Sequence, residues 1–254
     1  MKIDFTDKRV LVTGSSRGIG RAIVEAFLET GARVAVNGRT PESTARAVDE
    51  LDAGERVVAA PGSVATADGC RSIVEVALAA LGGLDILVNN AGVGCVARVE
   101  DTDEDTWDRV IDTNLKSVFF VTRHALPALR QSRGNIVNIA SVDGLVGVIE
   151  ESAYSASKAG VINMTRTHAL EFAGELRVNA VCPGFVDTEL LRGEAAAEGG
   201  SVEAGYRIFA QSVAAQKRIA GPREIAGPVL YLASELASFV TGSIHVVDGG
   251  ETAD

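Results

Sequence analysis

The feature that most limits what this chain can fold into is a repeated alternation of short, apolar, β-branched runs with longer segments of helical periodicity. Arg9-Val10-Leu11-Val12-Thr13 is followed by a helical pattern from about Gly18 to Glu29 and then by Arg33-Val34-Ala35-Val36-Asn37. Strand, helix and strand in that order make a βαβ unit. The rhythm continues with a helix after Pro41, the strand Arg56 to Ala60, a helix through Ile73 to Ala80 and the strand Asp85 to Val88; the fixed φ of proline suits a first helical position. Further on, the pattern predicts a helix from about Asn114 to Gln131, a strand from Asn135 to Ala140, a helix from about Ala153 to Phe172 and a strand from Arg177 to Cys182. A last helix around Glu224 to Ser234 and the strand Ile244 to Val247 complete it. Strands this apolar must be covered on both faces, as in a parallel sheet. Seven of them separated by helices predict an α/β, doubly wound Rossmann fold with helices on both faces and a ligand crevice at the carboxyl ends of the strands.

At 254 residues the chain is long enough to bury a large core, and one domain over residues 1–254 is the expectation. Two stretches break the rhythm. Gly184 to about Gln216, rich in Gly, Ala and Glu, is too long for a plain connection and reads as a substrate-binding lid within that domain, with its own helix. Glu100 to Asp108, acidic and holding the sole tryptophan, reads as a helix start capped by Asp or Thr.

Composition serves mainly to exclude. A formal net charge of -10 argues against nucleic-acid and anionic-membrane partners. No apolar run is long enough to span a bilayer, and Met1 to Arg9 is too charged for a signal peptide, so a cytoplasmic protein is expected. Cys70, Cys95 and Cys182, like His124, His168 and His245, are scattered at spacings that match neither a disulfide framework nor a zinc site, and no metal is expected.

Three clusters carry chemistry. The first strand runs into its helix through Thr13-Gly14-Ser15-Ser16-Arg17-Gly18-Ile19-Gly20, a turn whose backbone N–H groups face whatever sits above the strand and suit a pyrophosphate. The spacing departs from Gly-x-Gly-x-x-Gly, and such a turn can also be a plain connection. At the tip of the second strand stand Asn37-Gly38-Arg39, with no carboxylate to hold a ribose 2′-hydroxyl. Arg39, joined by Arg17 from the first loop, favours a 2′-phosphate and hence NADP(H) over NAD(H); two solvated surface arginines are the alternative. The third cluster is Tyr154-x-x-x-Lys158, a spacing that sets phenol and ammonium on one helix face. There the cation is expected to lower the phenol pKa toward working pH and make Tyr154 a proton donor and acceptor. Ser141, just past the Asn135 to Ala140 strand, can hydrogen-bond the same substrate oxygen. Alone, Tyr-x-x-x-Lys occurs by chance on many helices.

Taken in order, Thr13-Gly-x-x-x-Gly-Ile-Gly20, Asn89-Asn90-Ala91-Gly92, Asn114, Ser141, Tyr154-x-x-x-Lys158, Pro183-Gly184 and Thr188 resemble the short-chain dehydrogenase/reductase family from about Lys8 to Gly250. The resemblance implies a sheet ordered 3-2-1-4-5-6-7 and a carbonyl–alcohol oxidoreductase. It makes Tyr154 the acid/base, Lys158 its partner and the anchor of the nicotinamide ribose, Ser141 the group that orients the substrate carbonyl, and Asn114 the residue that positions a relay water. It implies that Gly14, Ser15, Ser16, Gly18, Ile19 and Gly20 line the phosphates and that Asn90, Ala91 and Gly92 line the adenosine ribose side. Pro183, Gly184, Val186 and Thr188 would line the nicotinamide, the last two fixing its carboxamide. It further implies a homotetramer, or a smaller dimer, built through the two long helices and the carboxyl-terminal segment. One departure is Ser63-Val64, where relatives carry an acidic residue against the adenine; Ser63 still offers a hydrogen bond. A shorter turn at Gly174-Glu175 reads as a trimmed surface loop.

The expected substrate pocket draws on Ser141, Asp143, Leu145, Val148, Glu150, Glu151, Tyr154, residues 94–96, Phe185 and residues after Leu190. Glu151 can accept hydrogen bonds from a hydroxylated or amine-bearing substrate, although Glu150 and Glu151 can also be a solvated turn. A 3-oxoacyl-carrier-protein reductase would need a basic docking surface, to which Arg130 and Arg133 would contribute; Glu171 and Glu175 in the other docking region oppose it. A small ketone, polyol or cyclic alcohol is the preferred substrate class. A cofactor-binding regulatory protein and a non-redox lyase on the same scaffold are the other classes considered; the intact catalytic set argues against the first and Gly14, Gly18 and Gly20 against the second.

Overall fold

The computed structural model describes residues 3–213 and 215–253. Seven strands, β1 (Arg9–Val12), β2 (Arg33–Val36), β3 (Val57–Ala59), β4 (Ile86–Asn89), β5 (Asn135–Ile139), β6 (Arg177–Pro183) and β7 (Ile244–Val247), form one sheet in the order β3-β2-β1-β4-β5-β6-β7. Every pairing is parallel. Val10, Leu11, Val12, Val34, Ala35, Val36, Leu87, Val88, Ile136 and Val137 have no exposed surface, so the apolar strands are covered on both sides as the pattern required. The strand order reverses between β1 and β4, and the crevice of a doubly wound sheet opens there, beyond the strand ends.

On one face α1 (Gly18–Glu29), α2 (Pro41–Leu51) and α9 (Pro222–Ala233) close a core around Ile23, Phe27, Val34, Ile86, Ile225 and Leu232. On the other, α3 (Ala67–Leu81), α5 (Ser117–Ser132) and α6 (Ser152–Glu171) pack over Leu11, Leu87 and Ile136. A buried polar ladder ties the sheet to this face: Asn89 Nδ2 donates to Asn138 Oδ1 at 2.9 Å, and Asn138 Nδ2 to Thr165 Oγ1 of α6 at 2.9 Å. In such a dry setting each of these groups needs its partner.

Two expectations shift. The helix read from about Asn114 is longer: α4 (Glu104–Ile111), capped by Asp103, passes through a π-helical turn over Asp112–Lys116 into α5. Asn114 lies in that turn, and the extra residue it inserts changes which way the chain faces next. The stretch 184–216, for which one helix was expected, holds two, α7 (Glu189–Gly199) and α8 (Val202–Ser212). They pack against each other, Gly205 of α8 lying on the backbone of Ala195 in α7.

The helix starts divide into two sets. Thr40, Thr66, Asp103, Thr188 and Ser201 cap α2, α3, α4, α7 and α8 with their side chains, and Glu224 holds the Gly221 N–H at the start of α9. The first turns of α1 and α6, preceded by Arg17 and Glu151, receive no side-chain cap, which leaves their N–H groups open. Both begin at the carboxyl edge of the sheet.

Candidate active site

The turn after β1 is shaped by its own contacts. Gly14 and Gly18 have φ +59°, the left-handed region that favours glycine, and a Cβ on Gly14 would stand 2.7 Å from Ala91 Cα. The glycines therefore serve packing of the loop on the Asn90–Gly92 turn as well as any close approach of a ligand. Asn37 braces this loop, accepting from the Gly14 N–H at 3.0 Å and donating to Ala60 O at 2.8 Å. Asn90 Nδ2 donates to the carbonyls of Thr13 and Gly14, each at 2.9 Å. Ser15 is buried and donates to Val12 O, whereas Ser16 is half-buried.

The two arginines expected at a 2′-phosphate are not equivalent. Arg39 is exposed beyond β2 and has no ion-pair partner among the described residues. Arg17 pairs instead with Glu189 in the first turn of α7, linking the turn after β1 to that helix. Val64 is buried against α3, and Ser63 is exposed, accepting from the Ala65 N–H at 3.3 Å.

Tyr154, Ser141, Lys158 and Asn114 come together from α6, the end of β5 and the π turn. Lys158 is 4% exposed; its Nζ donates to Ile139 O at 3.1 Å and lies 5.5 Å from the Tyr154 ring centroid. A Cβ on Gly92 would stand 3.5 Å from that Nζ and 3.4 Å from Asn114 Oδ1, so the Asn-Asn-Ala-Gly turn delivers a glycine where lysine and asparagine converge. The Asn114 side chain accepts from the Val93 N–H at 2.8 Å and donates to Val93 O at 2.9 Å and to Ser157 Oγ at 3.1 Å. Burial pushes the Lys158 ammonium down to about 8, against the pull of Cys182 and Asp143.

The expectation that Lys158 draws the phenol pKa down is corrected. The Tyr154 pKa is raised, first by burial and then by the charges of Asp143, Glu151 and Glu194, while a hydrogen bond with Ser141 opposes the rise. Ser141 itself donates to Asp143 Oδ2 at 2.8 Å and accepts from the Asp143 N–H at 3.2 Å. Glu151, for which a solvated turn was the other reading, is half-buried, and burial with Asp143 and Glu194 lifts its pKa to about 8. Glu150 is the solvated member, exposed with φ 65°.

Two site carboxyls were not named from the sequence, although the expected pocket included the residues after Leu190. Glu194 of α7 places Oε1 2.7 Å from a Cβ built on Gly94, and its pKa rises to about 6 through burial and Asp143. Glu251 folds back from the chain end with Oε2 buried and without a hydrogen-bond partner, its pKa raised to about 7 by burial, Asp143 and Asp248. Neither sits in a recognisable spacing. Of the other expected residues, Val148 lies at the surface, 37% exposed, Phe185 stacks on Phe209 of α8 at 4.8 Å, and Thr188 caps α7 against Gly18. Val186 is buried and bridges to Ala220, and the Gly184 N–H donates to Val247 O next to Pro183, the last residue of β6.

With this sheet order and this gathering of residues, the chain belongs to the short chain dehydrogenase family, whose model matches residues 8–199. It is 38% identical to the D-beta-hydroxybutyrate dehydrogenase of Cupriavidus necator over 97% of this chain and 98% of that one. With the 3-oxoacyl-[acyl-carrier-protein] reductase of Thermotoga maritima it shares 39% identity over 96% and 97% of the two chains. The solved structure of the aldohexose dehydrogenase of Thermoplasma acidophilum superposes with a TM-score of 0.89 at 36% identity, covering 99% of this chain and 96% of that one. The protein is thus an oxidoreductase of a family that acts on alcohols and ketones and binds NAD(P).

Proposed function

We propose that the protein interconverts a ketone and a secondary alcohol with NADP(H), Tyr154 transferring the proton. The observation that carries this reading is the convergence of Tyr154, Ser141 and the buried Lys158 beside Gly92 and Asn114. The residues suit a dinucleotide: the uncapped first turn of α1 offers N–H groups to a pyrophosphate, and Arg39 faces no competing carboxylate at the tip of β2. Gly14, Ser16, Gly18, Ile19 and Gly20 would hold the phosphates, Gly38 and Arg39 the adenosine 2′-phosphate, Ser63 and Val64 the adenine, and Asn90 to Gly92 with Pro183 to Thr188 the rest. When bound, the cofactor supplies or accepts the hydride.

The chain's own part is proton chemistry. A phenol whose pKa is raised keeps its proton at neutral pH and can give it to a developing alkoxide. Ser141 fixes the direction of that oxygen, its own hydroxyl held by Asp143. Lys158 stands behind the ring as a buried cation whose pKa near 8 lets it pass a proton on. Asn114 rigidifies the turn through Val93 and Ser157. A small free substrate is favoured over an acyl carrier, because Arg130, expected on a docking surface, is paired with Glu175 at 2.5 Å. A homotetramer accords with Phe119 of α5, Leu170 of α6 and Phe239 near the carboxyl end, which are 44%, 80% and 103% exposed. A cytoplasmic location belongs to the same reading; among the described residues no helix is long and apolar enough to cross a membrane.

The test is Tyr154→Phe. Turnover of small ketones with NADPH should fall by about 10²–10⁴ while nucleotide binding, read by its fluorescence, persists. Unchanged turnover would remove Tyr154 from the mechanism.

A further inference from the structure

We infer that Ser157 is a positioning residue of the proton-transfer site and acts through the Asn114 amide. The inference rests on the reading of the Tyr154 site and deepens it. Ser157 lies on α6 between Tyr154 and Lys158, has no exposed surface, and donates its hydroxyl proton to the Tyr154 carbonyl at 2.7 Å. A hydroxyl has one proton and two lone pairs. With the proton committed to Tyr154 O, the oxygen can only accept, and it does so from Asn114 Nδ2 at 3.1 Å. The other contacts of the amide go to Val93: Oδ1 accepts from the Val93 N–H at 2.8 Å and Nδ2 donates to the Val93 carbonyl at 2.9 Å. Turning the amide over would set donor against donor at the Val93 N–H and acceptor against acceptor at its carbonyl, so one orientation satisfies all three contacts.

This amide joins three elements that each bring a part of the site. The turn at residues 92–93 holds Gly92, where an added Cβ would stand 3.5 Å from Lys158 Nζ; the π turn holds Asn114; α6 holds Tyr154 and Lys158. Cohesion between the helices has another source. Leu115 of the π turn packs on Gly160 of α6 so closely that a Cβ there would stand 2.8 Å from Leu115 Cδ1. Without the Ser157 oxygen that packing remains and Asn114 still grips Val93, but the grip no longer reaches α6. One Asn114 Nδ2 proton, in a residue 1% exposed, would then lack an acceptor, which favours a shift of the amide or the entry of water. The Gly92 turn would lose its fixed place beside Lys158. Misplacing groups around a reacting centre slows the chemical step more than it weakens substrate binding.

The experiment compares wild type, Ser157→Ala, Asn114→Ala and the double variant, with Tyr154→Phe alongside, in the reduction of cyclohexanone by NADPH and by NADH. Alanine suits a helix interior and adds no bulk, so Ser157→Ala should fold. Its kcat should fall by about tenfold, the scale of one buried neutral hydrogen bond, while KM for cyclohexanone changes by less than about twofold. In the Asn114→Ala background, removing the hydroxyl should lower kcat by less than about a further twofold, because the two side chains act as one unit. Hydrogen exchange in the peptide holding Val93, read by mass spectrometry, should accelerate in Ser157→Ala while exchange across β5 stays as in wild type. An unchanged kcat with only a lower melting temperature, losses that multiply in the double variant, or unchanged exchange at Val93 would overturn the inference. If wild type reduces nothing, or if Tyr154→Phe matches it, the redox reading fails and hydrogen exchange decides alone. Acceleration confined to the Val93 turn would then support the Ser157 link, and unchanged exchange would remove it.

Discussion

Replacing Arg39 with alanine should separate the two nicotinamide cofactors if Arg39 holds the proposed 2′-phosphate. A 2′-phosphate at the tip of β2 has no other cation assured to it: the Asn37 side chain is used on Gly14 and Ala60, and Arg17 is held by Glu189. One charge-assisted hydrogen bond contributes about 1.5–3 kcal/mol. Because Arg39 is exposed and screened by solvent, the lower end applies, about 1.5 kcal/mol or one decade in Kd. Fluorescence titration of wild type and Arg39→Ala should therefore show NADPH binding about tenfold weaker, with NADH changed by less than about twofold and the NADPH effect shrinking at high salt. Adding Glu189→Gln should release Arg17 and restore part of the loss. Equal weakening of both cofactors, or tighter NADH binding by the wild type, would refute the assignment of Arg39 to a phosphate.

Other changes test the surroundings. Asp143→Asn keeps an acceptor for Ser141 but removes the charge that helps raise the Tyr154 pKa, so the alkaline limb of the pH–rate profile should move to lower pH; a stationary limb counts against it. The folded-state pKa of Glu151 lies above its unfolded value, so folding favours its protonated form. Stability from this group is full below pH of about 4.5 and is lost as pH rises toward about 8. The melting temperature of Glu151→Gln should thus gain on wild type between those values, and parallel curves would contradict the burial described. Asn138→Ala should lower unfolding stability in urea by about 1–3 kcal/mol, since it strips partners from Asn89 and Thr165. Gly205→Ala pushes α8 off Ala195, and proteolysis within 184–213 should accelerate while the urea midpoint of the core stays in place.

Much of the architecture is legible in the strand chemistry. The β-branched runs at Val10–Val12 and Val34–Val36 have no polar side to show solvent, and the structure buries them on two faces. Pro41 and Gly18 mark helix starts where the structure has them. The π turn at Asn114 was hidden because one inserted residue leaves helical periodicity nearly intact. The sign of the Tyr154 shift was hidden for a different reason. Spacing on α6 reveals Lys158, but burial and the approach of Asp143, Glu151 and Glu194 are properties of the folded chain. Likewise Glu194 and Glu251 reach the site from α7 and from the stretch after β7, routes that no local pattern records. Arg17 stands in the turn where it was read, yet its ion pair with Glu189 depends on where α7 lies.

The missing caps of α1 and α6 carry a cost and a use. A capping side chain contributes about 0.5–2 kcal/mol to a helix, and five other helices of this protein have one. At α1 and α6 that stabilisation is forgone. A thermostability engineer scanning for absent caps would choose Arg17 and Glu151 first, and at Arg17 would gain a sturdier helix by filling the amides proposed to receive the pyrophosphate.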